Sequence, residues 1–426
     1  MCVRTGYPPR TGLQIYAPFR SHDTLPTTRS GAPAYFAGGM HVLFIPKWYP
    51  GRNDPQLGDF IRKQALAVGR QVRVSVLFVH PVIGLGKREH QEVSEADGVW
   101  ELRCYYKAFR SNDPRLQRAV NFVRYRRAAL RGWARVQRER GMPDLFHAHI
   151  LVRAVWLART LARRERKPYL VSEQSSEYLD GTWERKPDWV KRFARRQVED
   201  AARTIAVSDH LGRALVKHGL YARFEVVPNV LPVEQVPLPP RGPADRLMMV
   251  ADLVDRTKNV SGVLRALALL RDRGMVLHLD LIGDGPDRDM LEGLTKDLGL
   301  GQQVTFHGRC PNADVLERMA GTGIVVVNSN VETFSVVTGE ALTLGKPVVA
   351  TRCGGPQAFV HDGNGLLVDP GDDRALADAL AQVHDRHAEF DPGRIRQDMA
   401  ERFSMTAVGE RLRAIYTDVL QHREHG

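Results

Sequence analysis

The chain is short of cysteine and has no long apolar run, and both shortages narrow its class. Only four cysteines occur in 426 residues, at Cys2, Cys104, Cys310 and Cys353. Their spacing fits neither a metal site nor a dithiol redox motif, so disulfide scaffolds and zinc ribbons drop out and a reduced, cytoplasmic setting is expected. No apolar stretch reaches the roughly 18–20 residues that cross a bilayer, and the N-terminus lacks the charged-then-apolar order of a secretion signal. Low-complexity segments are scarce. Hydrophobic residues make up 43% of the chain, enough for sizeable cores, and the length predicts two or three domains.

Acidic charge is scarce in one half only. Net charge is +12, yet residues 41–235 carry 36 Lys+Arg against 21 Asp+Glu, while residues 236–426 carry 21 against 27. The basic field therefore belongs to the N-terminal half and favours an anionic partner, such as a membrane surface or acidic glycan. Nucleic acid is not expected, because no motif interleaves aromatic and basic residues for base recognition. Residues 1–39 are rich in Pro, Gly, Thr and Arg and show neither structural period. They are expected to be a disordered extension, or to arise from an upstream start that the cell does not use.

From Met40 onward, strand-like runs alternate with helical ones, which predicts parallel α/β sheets. The runs fall near 41–46, 72–79, 99–106, 145–149, 169–173, 204–208 and 224–228, then near 247–253, 277–283, 304–307, 324–328, 347–351 and 365–368. Pro237-Leu-Pro-Pro-Arg-Gly-Pro243 suits neither element and separates the two series. The expected fold is α/β, with two Rossmann-like, doubly wound parallel-sheet domains at 40–236 and 246–404. A linker at 237–245 joins them, and they face each other across a cleft.

Open parallel sheets bind ligands beyond the carboxyl ends of their strands. Asn328-Ser-Asn-Val-Glu332-Thr-Phe334-Ser335-Val336-Val-Thr-Gly-Glu340 reads as a strand end, a loop and a helix start. Thr333 or Ser335 can cap that helix, and its free N–H groups suit a phosphate. Leu281-Ile-Gly283-Asp284-Gly285 and Arg352-Cys-Gly354-Gly355 place glycines after strands, where backbone can turn or approach a ligand. The first lacks the third glycine of a dinucleotide fingerprint. Asp144-Leu-Phe-His147-Ala-His149 ends a strand with both histidines on one side, and no third metal ligand stands at a suitable spacing. A glycosidase would need its two carboxyls astride one bond, roughly 5–10 Å apart. Glu332 on a loop and Glu340 on a helix suit gripping different parts of one ligand.

A glutamate, seven residues and a second glutamate, with phenylalanine two after the first, resembles the donor motif of the retaining glycosyltransferases of family four, in glycosyltransferase group 1. The resemblance runs from Met40 to about Asp418. It implies the GT-B fold, with the acceptor on the first domain, the nucleotide sugar on the second, and a last helix, here 405–426, crossing back to the first. It also implies residue roles. Lys258 contacts the donor diphosphate. Asp252 stands where the family usually has arginine, and Arg256 is the nearby substitute. Gly283 and Asp284 lie beside the donor, and His307 and Arg309 border the base. Glu340 accepts from the ribose hydroxyls, which suits a carboxylate's several lone pairs, and Glu332 accepts from the transferred sugar. Phe334, Ser335 and Val336 form the phosphate-facing turn, with Ser335 at a position the family usually gives to glycine. His149 sits over the reacting sugar, with His147 a packed neighbour. The implied catalytic set is His149, Glu332 and Lys258.

The loop from Lys47-Trp48-Tyr49-Pro50-Gly51 to Gly58 resembles a Trp-Tyr-Pro subgroup. Trp48, Tyr49 and Gly58 are expected to face the acceptor, together with Glu173 and Glu177; turn packing of Trp48 and Tyr49 fits equally well. Between Arg110 and Arg140, Arg115, Arg118, Arg124, Arg126, Arg127, Arg131, Arg135 and Arg138 interleave with Leu116, Val120, Val123, Ala129, Leu130 and Trp133. That pattern suits a solvated helix face or an interfacial helix. The expected activity is metal-independent transfer of a sugar from a nucleotide diphosphate sugar, with no further cofactor, to a hydroxyl on a glycan or lipid-linked acceptor. Surface polysaccharide or glycolipid assembly is the expected setting, in the cytoplasm or on the inner membrane face. Two alternatives stay open: a non-catalytic sugar-nucleotide-binding scaffold, and another GT-B enzyme such as a phosphorylase or epimerase.

Overall fold

Alternating β-branched and aromatic runs build two separate sheets, one from each half of the chain. The computed structural model describes residues 39–424, with side chains to His422; the expected extension falls almost wholly outside the described residues. The first half contains β1 (His41–Pro46), α1 (Asp59–Gly69), β2 (Arg73–Val82), β3 (Glu89–Ala96), β4 (Val99–Lys107), α2 (Pro114–Arg140) and β5 (Leu145–His149). It continues with α3 (Arg153–Glu165), β6 (Tyr169–Glu173), α4 (Asp188–Val198), β7 (Arg203–Ala206), α5 (Asp209–Lys217) and β8 (Glu225–Val226). These strands form one sheet in the order β3-β4-β2-β1-β5-β6-β7-β8. All pairs are parallel except β3 with β4. The sequence pattern missed β3, because its Glu-His-Gln-Glu-Val-Ser-Glu-Ala run carries the polar, charged side chains that suit an edge strand.

Strand alternation sends successive side chains to opposite faces. Val42, Phe44, Val74 and Val76 meet α1 and the terminal helix in one core, while Leu43, Ile45, Leu77 and Phe146 meet α2 to α5 in the other. Residues 227–245 hold no helix or strand.

The second half runs β9 (Arg246–Val250), α6 (Asp255–Lys258), α7 (Val260–Asp272), β10 (His278–Ile282), α8 (Arg288–Asp297), β11 (Val304–Gly308), α9 (Asn312–Gly321) and β12 (Ile324–Val327). Then come α10 (Val336–Thr343), β13 (Val348–Thr351), β14 (Gly365–Val368), α11 (Asp373–Asp385), α12 (Pro392–Phe403) and α13 (Met405–Glu424). The all-parallel sheet has the order β11-β10-β9-β12-β13-β14. Counted from β9, that is the doubly wound order 3-2-1-4-5-6, whose switch point lies between the first and fourth strands. Helix α13 packs against α1 so closely that a Cβ on Gly409 would stand 2.5 Å from the Ala67 carbonyl oxygen.

Helix α2 is partly committed to structure. Arg131 pairs with Glu89 of β3 at 2.6 Å, Arg135 with Glu139 at 2.8 Å, and Arg124 donates to the Lys107 carbonyl. Leu116 and Val123 nevertheless remain exposed. Among the described residues no helix is long and apolar enough to cross a membrane.

Candidate active site

The switch point of the second sheet opens on a cleft that the first sheet borders. Its cavity, about 460 Å³, is lined from the second sheet by residues following β9 and β12, including Lys258, Ser329, Glu332 and Ser335. The first half contributes Trp48, after β1, and Ser175, Ser176 and Asp180, after β6. The loop after β12 is latched to the segment after β9. Asn328 Nδ2 donates to the Asn259 carbonyl, Asn330 Nδ2 to the Arg256 carbonyl, and the Asn330 N–H to the Thr257 carbonyl, each at 2.8–2.9 Å. This brings Lys258 Nζ to 2.5 Å from Glu332 Oε1, which also accepts from Ser329 Oγ at 2.8 Å.

Ser335 occupies the N-cap position of α10 but does not cap it through its side chain. Its φ of 68° is left-handed, and its Oγ pairs with Thr338 Oγ1 at 2.8 Å. The position thus keeps the conformation that glycine adopts without strain, and Ser335, Val336 and Val337 of the helix start line the cavity. Phe334 is anchored by Phe359 and Phe403, with ring centroids 4.8 and 6.0 Å away. Its turn is clamped from behind, since the Gly355 N–H donates to the Glu332 carbonyl at 2.9 Å. A Cβ at Gly354 would fall 2.4 Å from the His210 ring of α5, so the halves meet closely there.

Other residues expected at the donor lie elsewhere. Asp252 and Arg309 form an exposed pair at 3.1 Å, and Arg256 is exposed outside the cavity lining. His307 bonds Asp280 of the neighbouring strand at 2.6 Å. Gly283 has φ 140°, and a Cβ there would sit 1.8 Å from the Ala251 carbonyl oxygen. That glycine serves the close approach of the loops after β9 and β10, and Asp284 beside it is exposed. Glu340 is buried, accepts from Asn312 Nδ2 at 3.1 Å, and has its pKa raised by burial. Lys63 and Asp59 of α1 act on its charge across the cleft.

On the first sheet, Trp48 alone of the expected acceptor residues lines the cavity. Tyr49 is fully buried and its hydroxyl donates to Glu101 at 2.6 Å, so it packs the turn. Gly58 has φ 67° and lies against the Trp48 carbonyl, where a Cβ would fall 2.4 Å from its oxygen. Glu177 pairs with Lys186 at 2.6 Å. Glu173 is fully buried and accepts the N–H groups of Leu151, Gln174 and Ser175 at 2.8–2.9 Å. Rather than meeting an acceptor, it ties the β5 turn to the β6 turn. That β5 turn holds two β-branched residues at positive φ, Ile150 at 71° and Val152 at 83°, a strained arrangement of the kind kept at functional sites.

His149 is fully buried rather than lining the cavity. Its ring lies 4.1 Å from that of His147 and 4.7 Å from Phe44, and neither of its nitrogens meets a protein hydrogen-bond partner. Burial holds its pKa well below the usual value. His147 is pinned at 2.7 Å by both Tyr416 of α13 and Ser172. Ser329, Ser175 and Ser176 lie within the two loops that the sequence singled out, although no role was expected of them, while Asp180 and His210 carry no motif signal.

Comparison with known proteins agrees with this architecture. Residues 65–235 match the Glycosyltransferase Family 4 model, and residues 238–402 match the model for Glycosyl transferases group 1. The chain is therefore built from a family-four-type domain followed by a group 1 domain, on a GT-B fold. The chain is 33% identical over 198 residues to the lipopolysaccharide core biosynthesis glycosyltransferase LpsE of Rhizobium meliloti, covering 46% of this chain and 54% of that protein. It is 31% identical over 267 residues to a D-inositol 3-phosphate glycosyltransferase of Corynebacterium urealyticum, covering 56% and 63%. The chain thus spans between about half and two-thirds of these relatives. Among solved structures, Anabaena HepE in complex with UDP superposes with a TM-score of 0.65 at 20% identity, covering 89% of this chain and all of that one.

Proposed function

We propose that the protein is a retaining glycosyltransferase that moves a sugar from a nucleotide diphosphate sugar to a hydroxyl acceptor, in surface polysaccharide or glycolipid assembly. The observation that carries this reading is the convergence of Lys258, Glu332 and the left-handed Ser335 turn at the switch point between β9 and β12, opposite Trp48 and the β6 loop. The UDP complex of HepE and the glycosyltransferase names of the relatives support it. The diphosphate lies against Lys258 and the N–H groups at the α10 start, which stabilise the charge that grows on the leaving nucleotide. Glu332, held by Ser329, accepts from the sugar hydroxyls. Glu340, buried on α10, grips the ribose. The acceptor hydroxyl attacks on the face from which the diphosphate leaves, so no protein nucleophile takes part. His149 acts from beneath this site, on the strained turn that Glu173 holds.

The test is nucleotide release from a panel of UDP-, GDP- and ADP-sugars, with and without membrane extract, for the wild type, Glu340→Ala and His149→Ala. Release from one donor, stimulated by extract and lost in both variants, is the expected result. Binding of nucleotide with no release from any donor would instead favour the scaffold reading.

A peripheral site on an anionic membrane is part of this proposal, and α4 supplies its best surface. Trp189 is 60% and Phe193 38% exposed, one helical turn apart, beside the exposed Arg192 and Arg196. Interfacial helices combine such aromatic and cationic residues. Arg192→Gln with Arg196→Gln is expected to weaken flotation with anionic vesicles by about 2 kcal/mol, from about 1 kcal/mol per arginine at such a surface. Equal flotation of variant and wild type would rule out this surface.

A further inference from the structure

A second cavity, about 670 Å³, opens beyond the carboxyl ends of β2 and β4, on the same edge of the first sheet as the cleft. Its lining includes Asn53 of the β1–α1 loop, His80, Tyr106, Arg110 and Arg153, and no carboxylate. Arg153 is half-buried at the start of α3. Its guanidinium donates to the Tyr106 hydroxyl at 2.9 Å and lies over the Tyr125 ring, and it forms no ion pair. Arg110 has no partner among the described residues, although its backbone is held in place. Asn121 of α2 accepts from the Phe109 N–H and donates to the Phe109 carbonyl, both at 2.9 Å, and Gln117 accepts from the Ser111 N–H at 3.1 Å. His80 adds no compensating negative charge; burial and Arg153 keep it neutral.

Some arginines of this half find carboxylates, as Arg131 does in Glu89 and Arg159 in Asp200. A half-buried cation left with only neutral neighbours loses hydration without a matching counter-charge. Arg153, half-buried at a helix start, and Arg110, exposed on a fixed loop, line one cavity with guanidiniums suited to phosphate oxygens. We infer that this cavity binds a phosphate group carried by the acceptor. The β2 and β4 ends lie one and two strands from the β1 end that presents Trp48, roughly 5–10 Å away. That distance is about the length of one or two sugar rings, so the phosphate docks while a hydroxyl next to it reaches the cleft. Exposed Ile83 and half-buried Phe109 on the rim give an apolar border for whatever bears the phosphate. The inference deepens the transferase reading by naming the acceptor's charge.

Two measurements test it separately from that reading. Pyrophosphate is titrated calorimetrically into protein saturated with whichever of UDP, GDP or ADP it binds, which fills the proposed donor site. Saturable binding is expected, weakened about tenfold by Arg110→Gln and again by Arg153→Gln, the loss of one charge-assisted contact each. Affinity unchanged in the double variant overturns the site, whether or not the protein transfers sugar. Should transfer to extract be found, the double variant is expected to raise the acceptor KM at least tenfold, leaving kcat and the donor KM nearly unchanged. A shift in donor KM alone overturns it. Mild-acid treatment of the extract, which cleaves carrier-lipid diphosphates, abolishes transfer if the phosphate comes from a lipid carrier. Phosphomonoesterase treatment abolishes it if the phosphate is a sugar monoester. Arg153→Lys, which keeps the charge, restores part of the pyrophosphate affinity and guards against misfolding of the glutamine variants.

Discussion

Replacing Lys258 with alanine is expected to slow nucleotide release from the donor by about 10²–10³-fold, the size of effect seen when one group aimed at transition-state charge is removed. Lys258 stands where the segment after β9 meets the loop after β12, and its ammonium already lies 2.5 Å from Glu332. That pair presets its position. A diphosphate brings more negative charge than one carboxylate, so it can draw the ammonium away from Glu332 without moving the backbone. As the bond to the sugar breaks, charge accumulates on the departing phosphate and the attraction to Lys258 grows. An interaction that strengthens only in the transition state appears in kcat rather than in KM. Lys258→Ala should therefore bind nucleotide within a few-fold of wild type while turnover collapses, measured by calorimetry and by single-turnover release. Glu332→Gln keeps the hydrogen-bonding shape but releases Lys258 from its counter-charge, and a smaller loss is expected. Equal losses in binding and rate for Lys258→Ala would show a ground-state contact and refute the leaving-group role.

Much of the scaffold was legible in the sequence, for a physical reason. Parallel strands covered on both faces need near-continuous apolar runs, and β1, β12 and β13 carry them. The edge strand β3 needs no such run and hid in polar sequence. The site was legible at the level of loops, less so at the level of side chains. Which loops face the cleft follows from strand order, and Lys258, Glu332, Ser335 and Trp48 do line it. Whether a polar side chain points into the cleft or back into the fold depends on partners remote in sequence. Glu173 turns inward because three backbone N–H groups are free there. Tyr49 does so because Glu101, from β4, accepts a hydrogen bond from its hydroxyl. Asp252 pairs with Arg309, 57 residues away, a contact that no local pattern announces.

Acid is expected to destabilise the fold well above the pH at which carboxylates titrate. Burial lowers the pKa of His147 to about 3 and that of His41 to about 4, and holds His149 well below its ordinary value. In the unfolded chain all three titrate near ~6.5. Below that pH the unfolded state binds protons that the folded state refuses, so stability falls as pH drops from about 6.5 towards 4. Each histidine contributes a slope of about 1.4 kcal/mol per pH unit. Glu173 and Glu340 oppose this, because burial raises both. Above a carboxylate's ordinary value they hold protons in the folded state that the unfolded state has lost, and so favour folding as pH falls. Burial also lowers His80, His210 and His387, so the histidines outweigh the two carboxyls and leave a net loss of at least about 1 kcal/mol per pH unit. Urea midpoints at pH 7.5, 6.5 and 5.5 should therefore decline across the last interval, and coincident midpoints would refute this pH dependence. The same shifts constrain the chemistry. At neutral pH, His149 offers the site one donor and one acceptor and no positive charge. Activity lost between pH 6.5 and 5 should then track unfolding, with the imidazole resonances of His147 and His149 unchanged in the fraction that remains folded. A His149 resonance that titrates near pH 6 in the folded protein would mean that this imidazole reaches solvent and changes charge.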